Sequence, residues 1–170
     1  MKLAKKCPLF TALLMSILLW SSAAQANNFY WELNVGSGTF KPENGTNEDI
    51  TVLSGSFGGF ITQLISYEIQ LATGWEDQGG FGSSSQVTHG AGMIGLNIGA
   101  RDAHIFLMGG VGLFDMSTTI NNASGEGLAI GFGVNLYANE QSGLTFEALN
   151  INDNDNGEYG ILSLGYKKKF

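Results

Sequence analysis

An all-β fold is predicted here, an eight-stranded antiparallel up-and-down transmembrane β-barrel, and three observations carry the prediction. Apolar residues recur at every second position over long stretches, the period of a strand rather than the 3.6 of a helix. Segments rich in Asn, Gly, Ser, Asp and Glu interrupt those stretches at fairly even intervals, as turns do. The positions between the apolar ones hold largely Gly, Ala, Ser, Asn, Gln and Glu, which suits a barrel with lipid outside and a small or polar lining within.

The composition agrees with that reading. A length of 170 residues is one domain, and 25 glycines with only 14% charged residues argue against intrinsic disorder and against a helical bundle. A net charge of -7 makes nucleic acid an unsuitable partner. Residues 1–26 read as a cleaved secretory signal: Lys2, Lys5 and Lys6 precede the apolar stretch 9–20, and Ala24-Gln25-Ala26 has the small-x-small form that signal peptidase accepts. A retained anchor needs about 20 apolar residues, and this run stops at Ser21-Ser22. Cys7 lies before the apolar stretch, where a lipidated cysteine does not. The domain is then 27–170, free of cysteine and more acidic still, because three of the eight basic residues leave with the signal. An exported domain without disulfides needs another means of stabilisation. A closed, hydrogen-bonded barrel in a membrane supplies one.

The strands read in order as 29–40, 50–60, 65–75, 86–98, 104–114, 126–137, 143–151 and 157–170. In the first, Phe29, Trp31, Leu33 and Val35 alternate with Tyr30, Glu32 and Asn34. In the third, Ile65, Tyr67, Ile69, Leu71 and Trp75 alternate with Ser66, Glu68, Gln70 and Gly74. Phe60, Ile61, Leu64, Ile65 and Ile69 also fit helical spacing, but the alternation over 65–75 is cleaner and the surrounding chain is β. The sixth sets Leu128, Ile130, Phe132, Val134 and Leu136 against Gly127, Ala129, Gly131, Gly133 and Asn135, and the eighth places Leu162, Leu164, Tyr166 and Phe170 on one face. Connections 42–49, 76–85, 115–125 and 152–156 are long and polar, whereas 61–64, 99–103 and 138–142 are tight. Long loops at one end and short turns at the other is how membrane barrels are strung.

A soluble periplasmic β-barrel of the same strand number would turn its apolar parity inward. Here Phe29, Trp31, Trp75, Tyr166 and Phe170 gather at strand ends on the outward parity, as interfacial girdles do. Phe40, Phe114 and Tyr137 sit at strand ends on the inward parity. The alternating stretch from Leu162 through Gly165 and Tyr166 to the terminal Phe170 resembles the assembly signal of bacterial outer-membrane proteins, although Lys168 stands where that pattern prefers an apolar residue. Together with Gly109-Gly110-Val111-Gly112, Gly131-Phe132-Gly133-Val134 and Thr145-Phe146-Glu147, the chain resembles the small outer-membrane β-barrel family of OmpA/OmpX-type and opacity-type, porin-like proteins. The resemblance implies the outer membrane of a Gram-negative cell envelope, with outer-membrane lipids, lipopolysaccharide and, during biogenesis, the barrel-assembly machinery as partners. That family is functionally mixed.

Chemistry is sparse. Some eight-stranded barrels are lipid A-modifying enzymes, and the deacylase type carries His-x-Ser with a downstream acid on the lipid face. Neither His89-Gly90-Ala91 nor His104-Ile105-Phe106 has that serine, and nothing holds Ser84 or Ser85 against His89. Asp153-Asn154-Asp155-Asn156-Gly157-Glu158 has the alternating carboxylates of a calcium loop without its full 12-residue pattern, and reads more simply as an acidic turn. Loop carboxylates among lipopolysaccharide phosphates would draw bridging divalent ions. Inward parity gathers Glu32, Glu68 and Glu147, for which Arg101, His104, Lys167 and Lys169 are available partners. Such a network serves as a plug or as a narrow channel; Phe106, Met108 and Phe114 opposite small residues of strand six favour the plug. The first strand must pair with the last, and counting inward from Phe29 and Phe170 sets Glu32 opposite Lys167, or Lys169 if the register shifts by two. The expectation is a non-enzymatic barrel with a structural or surface-interaction role and a closed or nearly closed lumen, with no catalytic residue, cofactor or metal. A lipid A-modifying enzyme, a porin-like pore and a soluble barrel are the alternatives.

Overall fold

The computed structural model describes residues 29–41, 47–75, 86–100, 102–117, 122–153 and 157–170. Eight strands follow in order: β1 (Phe29–Lys41), β2 (Glu48–Phe60), β3 (Ile65–Trp75), β4 (Gln86–Ala100), β5 (Ala103–Ser117), β6 (Asn122–Tyr137), β7 (Ser142–Asp153) and β8 (Gly157–Lys169). Each pairs antiparallel with its neighbour, and β1 pairs with β8, so the sheet closes on itself. Closure removes every bare edge, without which unpaired backbone groups in lipid would cost several kcal/mol each. The signal expected over 1–26, Arg101, Ser84 and Ser85 lie outside the described residues.

The stagger of the sheet follows from its register. Traced once round through paired residues, Trp31 leads to Phe57, Ile69, Gly92, Val111, Leu128, Asn152 and Glu158, and returns to β1 at Lys41. An offset from residue 31 to residue 41 over eight strands tilts them by about 40° from the barrel axis. Residues at equal sequence depth on different strands therefore stand at different heights.

The expected strands are present, several longer than read. β5 runs to Ser117 and β6 starts at Asn122, so most of the segment read as a loop over 115–125 is paired. Polar residues hid this extension, because Asp115, Ser117, Asn122 and Ser124 break the apolar alternation while the ladder continues, and Ser117 Oγ donates to Asn122 Oδ1 at 3.0 Å. β2 starts at Glu48, β4 extends to Ala100 and β7 to Asp153. The helical spacing around 60–69 is interrupted by a turn: the Ile61 amide donates to the Ile65 carbonyl at 2.8 Å, and Thr62 Oγ1 accepts from the amides of Leu64 and Ile65. Gly157 opens β8 with φ 116°, a conformation that favours glycine.

Outside, the barrel is wrapped in exposed apolar side chains, among them Leu33, Val35, Leu71, Ile94, Ile105, Phe132 and Leu162. So much exposed apolar surface is incompatible with water and fits hydrocarbon. Aromatic contacts rim the short-turn end, where Trp31 and Tyr166 lie 5.7 Å apart and Phe29 stacks on Phe57 at 5.9 Å. Trp75 marks the long-loop end.

Inside, Phe40, Phe106, Met108 and Phe114 are buried as expected, but the apolar lining reaches well beyond them. The interior has two tiers. Towards the short turns it is polar, with Tyr30, Glu32, Asn34, Ser56, Ser66, Glu68, Gln70, Asn97, Asn135, Thr145, Glu147 and Lys167 all buried. Towards the long loops it is apolar, with Phe40, Ile50, Val52, Val87, Phe114, Met116, Ile151, Tyr159 and Ile161 packed in one cluster. The apolar tier escapes simple alternation because its strands carry apolar residues on both parities, as in Asp49-Ile50-Thr51-Val52-Leu53.

Candidate functional site

The polar tier is the constellation with most chemistry, and closure of the sheet builds it. Pairing of β1 with β8 sets Glu32 opposite Lys167, and both side chains point inward. Lys167 Nζ lies 2.9 Å from Glu32 Oε2, with both side chains almost fully buried. The ammonium also stands 4.3 Å from the centre of the Tyr30 ring and 5.4 Å from that of Phe106, so its remaining faces meet π density. Glu68, on β3, accepts from the Tyr30 hydroxyl at 2.7 Å.

Glu147 belongs to a second chain of contacts. Gln70 Nε2 donates to Glu147 Oε2 at 3.1 Å, and His89 Nε2 lies 3.1 Å from Gln70 Oε1. With the Gln70 amide nitrogen turned to Glu147, its Oε1 is left to accept from His89 Nε2. The His89 ring then packs against Tyr159 at 5.5 Å, and Tyr159 against Phe114 at 5.9 Å, with Phe40 beyond at 5.7 Å from Phe114. Gln70 and His89 thus join the polar tier to the apolar one. One oxygen of each of Glu32, Glu68 and Glu147, and the whole Asn34 amide, are buried with no side-chain or backbone partner. Three carboxylates share this tier with the ammonium of Lys167, the one fully buried cation among the described residues.

The structure therefore brings Glu32, Glu68, Glu147 and Lys167 into one polar interior. Lys169 goes elsewhere: its Nζ lies 3.6 Å from the Tyr137 ring centre and 5.3 Å from that of Phe60. His104 packs edge-on to Tyr137 at 5.3 Å. Space-filling on β5 pairs large with small, since Phe106 lies opposite Gly133, Met108 opposite Gly131 and Phe114 opposite Gly125. A Cβ on Gly133 would come within 2.5 Å of the Phe106 ring. The parity rule located these residues; the reach of Gln70 to Glu147, on a strand distant in sequence, carries no local signal.

The remaining candidates disperse. In the acidic stretch 153–158, whose residues 154–156 lie outside the described set, Asp153 Oδ2 accepts the Glu126 amide at 3.1 Å, while Glu158 accepts from Asn150 Nδ2 and faces Lys41 Nζ at 3.9 Å. Among the described residues no group of three or more His, Cys, Asp or Glu is arranged to hold a metal ion. Gly165 and Tyr166 lie in the seam with β1, Gly165 beside Asn34 and Tyr166 beside Leu33, and the Phe170 amide donates to the Phe29 carbonyl at 2.9 Å.

No family model matches the chain, and no curated protein matches it in sequence. Solved structures do resemble it. Neisserial surface protein A (NspA) aligns with a TM-score of 0.67 and 14% identity over 84% of this chain and 97% of that one. The attachment invasion locus protein Ail of Yersinia pestis aligns at 0.63 and 12% identity, covering 86% of this chain and all (100%) of its own. Ail has also been solved with the heparin analogue sucrose octasulfate. The outer membrane protein OprG of Pseudomonas aeruginosa aligns at 0.58 and 11% identity, over 86% and 98%. Strand number, antiparallel closure, an apolar exterior and these likenesses agree: the chain has the fold of the small eight-stranded outer-membrane β-barrels.

Proposed function

We propose that this chain is an integral protein of the Gram-negative outer membrane, exported behind its N-terminal signal, with a closed lumen and a structural or surface-interaction role. The observation that carries this reading is the two-tier interior. An eight-stranded barrel is only wide enough for its own side chains, and here an aromatic and aliphatic cluster stands over a hydrogen-bonded polar one. An ion entering from the loop end would have to pass the packed cluster of Phe40, Phe114, Met116 and Tyr159.

A lipid-modifying activity is disfavoured by where the histidines point. His89 engages Gln70 and Tyr159 inside the barrel, and His104 engages Tyr137, so neither stands on the lipid face as a base for a nucleophile. A polyanionic ligand of the kind crystallised with Ail is also a poor match, because the loop end presents Glu48, Asp49, Asp115, Glu126, Asp153 and Glu158 against Lys41. Lipopolysaccharide bridged by divalent ions suits such a surface better.

Cell fractionation should recover the chain in the outer membrane, with an epitope in residues 115–125 cut by protease added to intact cells. The purified barrel should add no conductance to a planar bilayer, and its overexpression should leave the lipid A mass spectrum unchanged. Recovery elsewhere would overturn the location, single-channel steps the closed lumen, and a new lipid A species the non-enzymatic role.

A further inference from the structure

The outer wall is not uniformly apolar. Along three successive rows of the register, β6 presents Leu128, Ile130 and Phe132, as a lipid-facing strand should. Across the same rows the outward residues change character. Opposite Ile130 the row continues as Asn150, Gly160 and Thr39; opposite Leu128 as Asn152, Glu158 and Lys41; opposite Phe132 as Ala148, Leu162 and Ser37. Small and polar residues on β7, β8 and β1 thus lie beside an apolar wall of Leu128, Ile130 and Phe132 on β6.

These residues line a notch of about 460 Å³ in the barrel's outer surface. Gly160 is its floor: a Cβ there would meet nothing closer than 3.9 Å. Its polar groups are partly organised already. Asn150 Nδ2 donates to Glu158, Lys41 Nζ faces the other Glu158 oxygen at 3.9 Å, and Thr39 Oγ1 donates to Asp49 Oδ1 at 2.9 Å. Ser37 and Asn150 stand at the level where β6 is still apolar, and polar groups placed against hydrocarbon demand partners. A second lipid-facing dent, around Gly92 and Gly109, is equally open to a Cβ, but its outward neighbours are Ile94, Leu107 and Val111, so it offers an acyl chain contact and no polar group.

We propose that the β1–β7–β8 notch is a lateral binding site for a glycolipid of the outer leaflet, an acylated amino sugar whose hydroxyl and amide groups sit just below the headgroup. The notch lies at the long-loop end and opens sideways, so its occupant arrives from the bilayer. The wall of Ile130, Phe132 and Leu162 takes the acyl chains. The side chains of Ser37, Thr39 and Asn150 offer both donors and acceptors to neutral polar groups. Lys41 is balanced by Glu158, and Asp49 adds a further carboxylate, so the site is not a phosphate cradle; sugar hydroxyls and amide linkages fit it better than a phosphodiester headgroup. This inference rests on the outer-membrane reading above.

The test is native mass spectrometry of the folded, detergent-solubilised barrel with added lipid A, phosphatidylglycerol or phosphatidylethanolamine at equal concentration. Folding is checked first by heat-modifiable migration. Lipid A should be retained about tenfold more tightly than either phospholipid, the scale of one or two net hydrogen bonds. Gly160→Leu, which fills open space facing lipid, should abolish that preference, and Ser37→Leu/Asn150→Leu should do the same, while Gly92→Leu in the apolar dent should leave it intact. A barrel that folds but binds all three lipids equally, prefers a phospholipid, or keeps its preference in Gly160→Leu overturns the site alone. A chain that never acquires heat-modifiable migration overturns the barrel reading and the site with it.

Discussion

The two halves of the interior solve the same packing problem with different physics. The apolar tier fills its space with Phe40, Phe114, Met116, Ile151 and Tyr159, whose attraction is non-directional and proportional to the surface removed from water. The polar tier fills its space with groups that have fixed directions: Glu32 to Lys167, Tyr30 to Glu68, Gln70 to Glu147 and His89. A slip of two residues between β1 and β8 would leave an apolar cluster largely intact but would separate Glu32 from Lys167 at a heavy electrostatic cost. One tier supplies bulk and the other specifies register.

The largest expected effect breaks the polar tier. Lys167→Gln leaves three buried carboxylates without their ammonium and should cost about 3–5 kcal/mol in denaturant unfolding from bilayers. Adding Glu32→Gln should recover a measurable part of that loss; strict additivity of the two changes would mean that the pair does not couple. In the apolar tier Phe114→Ala should cost about 3–5 kcal/mol through the cavity it leaves, and it should differ in kind by admitting small conductance steps that Lys167→Gln does not. Moving to the wall, Phe132→Lys should cost about 2–4 kcal/mol near the bilayer midplane. Its neighbour Gly131→Ser should be far milder, since a Cβ there meets Glu147, Leu149 and Met108 at ordinary contact distances of 3.6 Å; equal damage from both would invert the assigned faces. The finest comparison removes one oxygen from each tier. Tyr30→Phe loses a charge-assisted bond and should cost about 1.5–3 kcal/mol, whereas the Tyr159 hydroxyl has no protein partner and Tyr159→Phe should fall within about 0.5 kcal/mol of neutral or stabilise.

Strand number, closure and the outward faces were legible because lipid imposes one consistent parity over a whole strand. Phe29 to Val35 and Leu128 to Leu136 announce their faces residue by residue. The seam was legible for a topological reason: in an even-stranded barrel both terminal strands begin at one rim, so equal counting from Phe29 and Phe170 brings Glu32 to Lys167. Strand ends beyond the bilayer were not legible, because Asp115 to Ser117 need no apolar face to stay paired in water. The apolar tier was legible only in part: Phe40 and Phe114 fell on the inward parity, whereas Val52, Val87 and Ile151 follow apolar or polar neighbours without distinction. The polar residues Ser37, Thr39 and Asn150 were visible as exceptions to the outward parity, but only the pairing of β1 with β8 and of β8 with β7 shows that three exceptions form one place.

The seam between β1 and β8 also has a consequence for how the chain reaches its native state. Seven of the eight strand pairings join sequence neighbours and can zip locally, whereas the eighth joins Phe29 to Phe170, the largest separation among the described residues. Loop-closure entropy must be overcome in full before that ladder returns anything. Until residue 167 has been synthesised and brought to β1, Glu32 has no countercharge and both outer strands expose unpaired backbone beside apolar faces, a species prone to aggregate. The time between the emergence of β1 and the arrival of β8 is therefore the interval of greatest hazard, and escort of the unfolded chain matters most then.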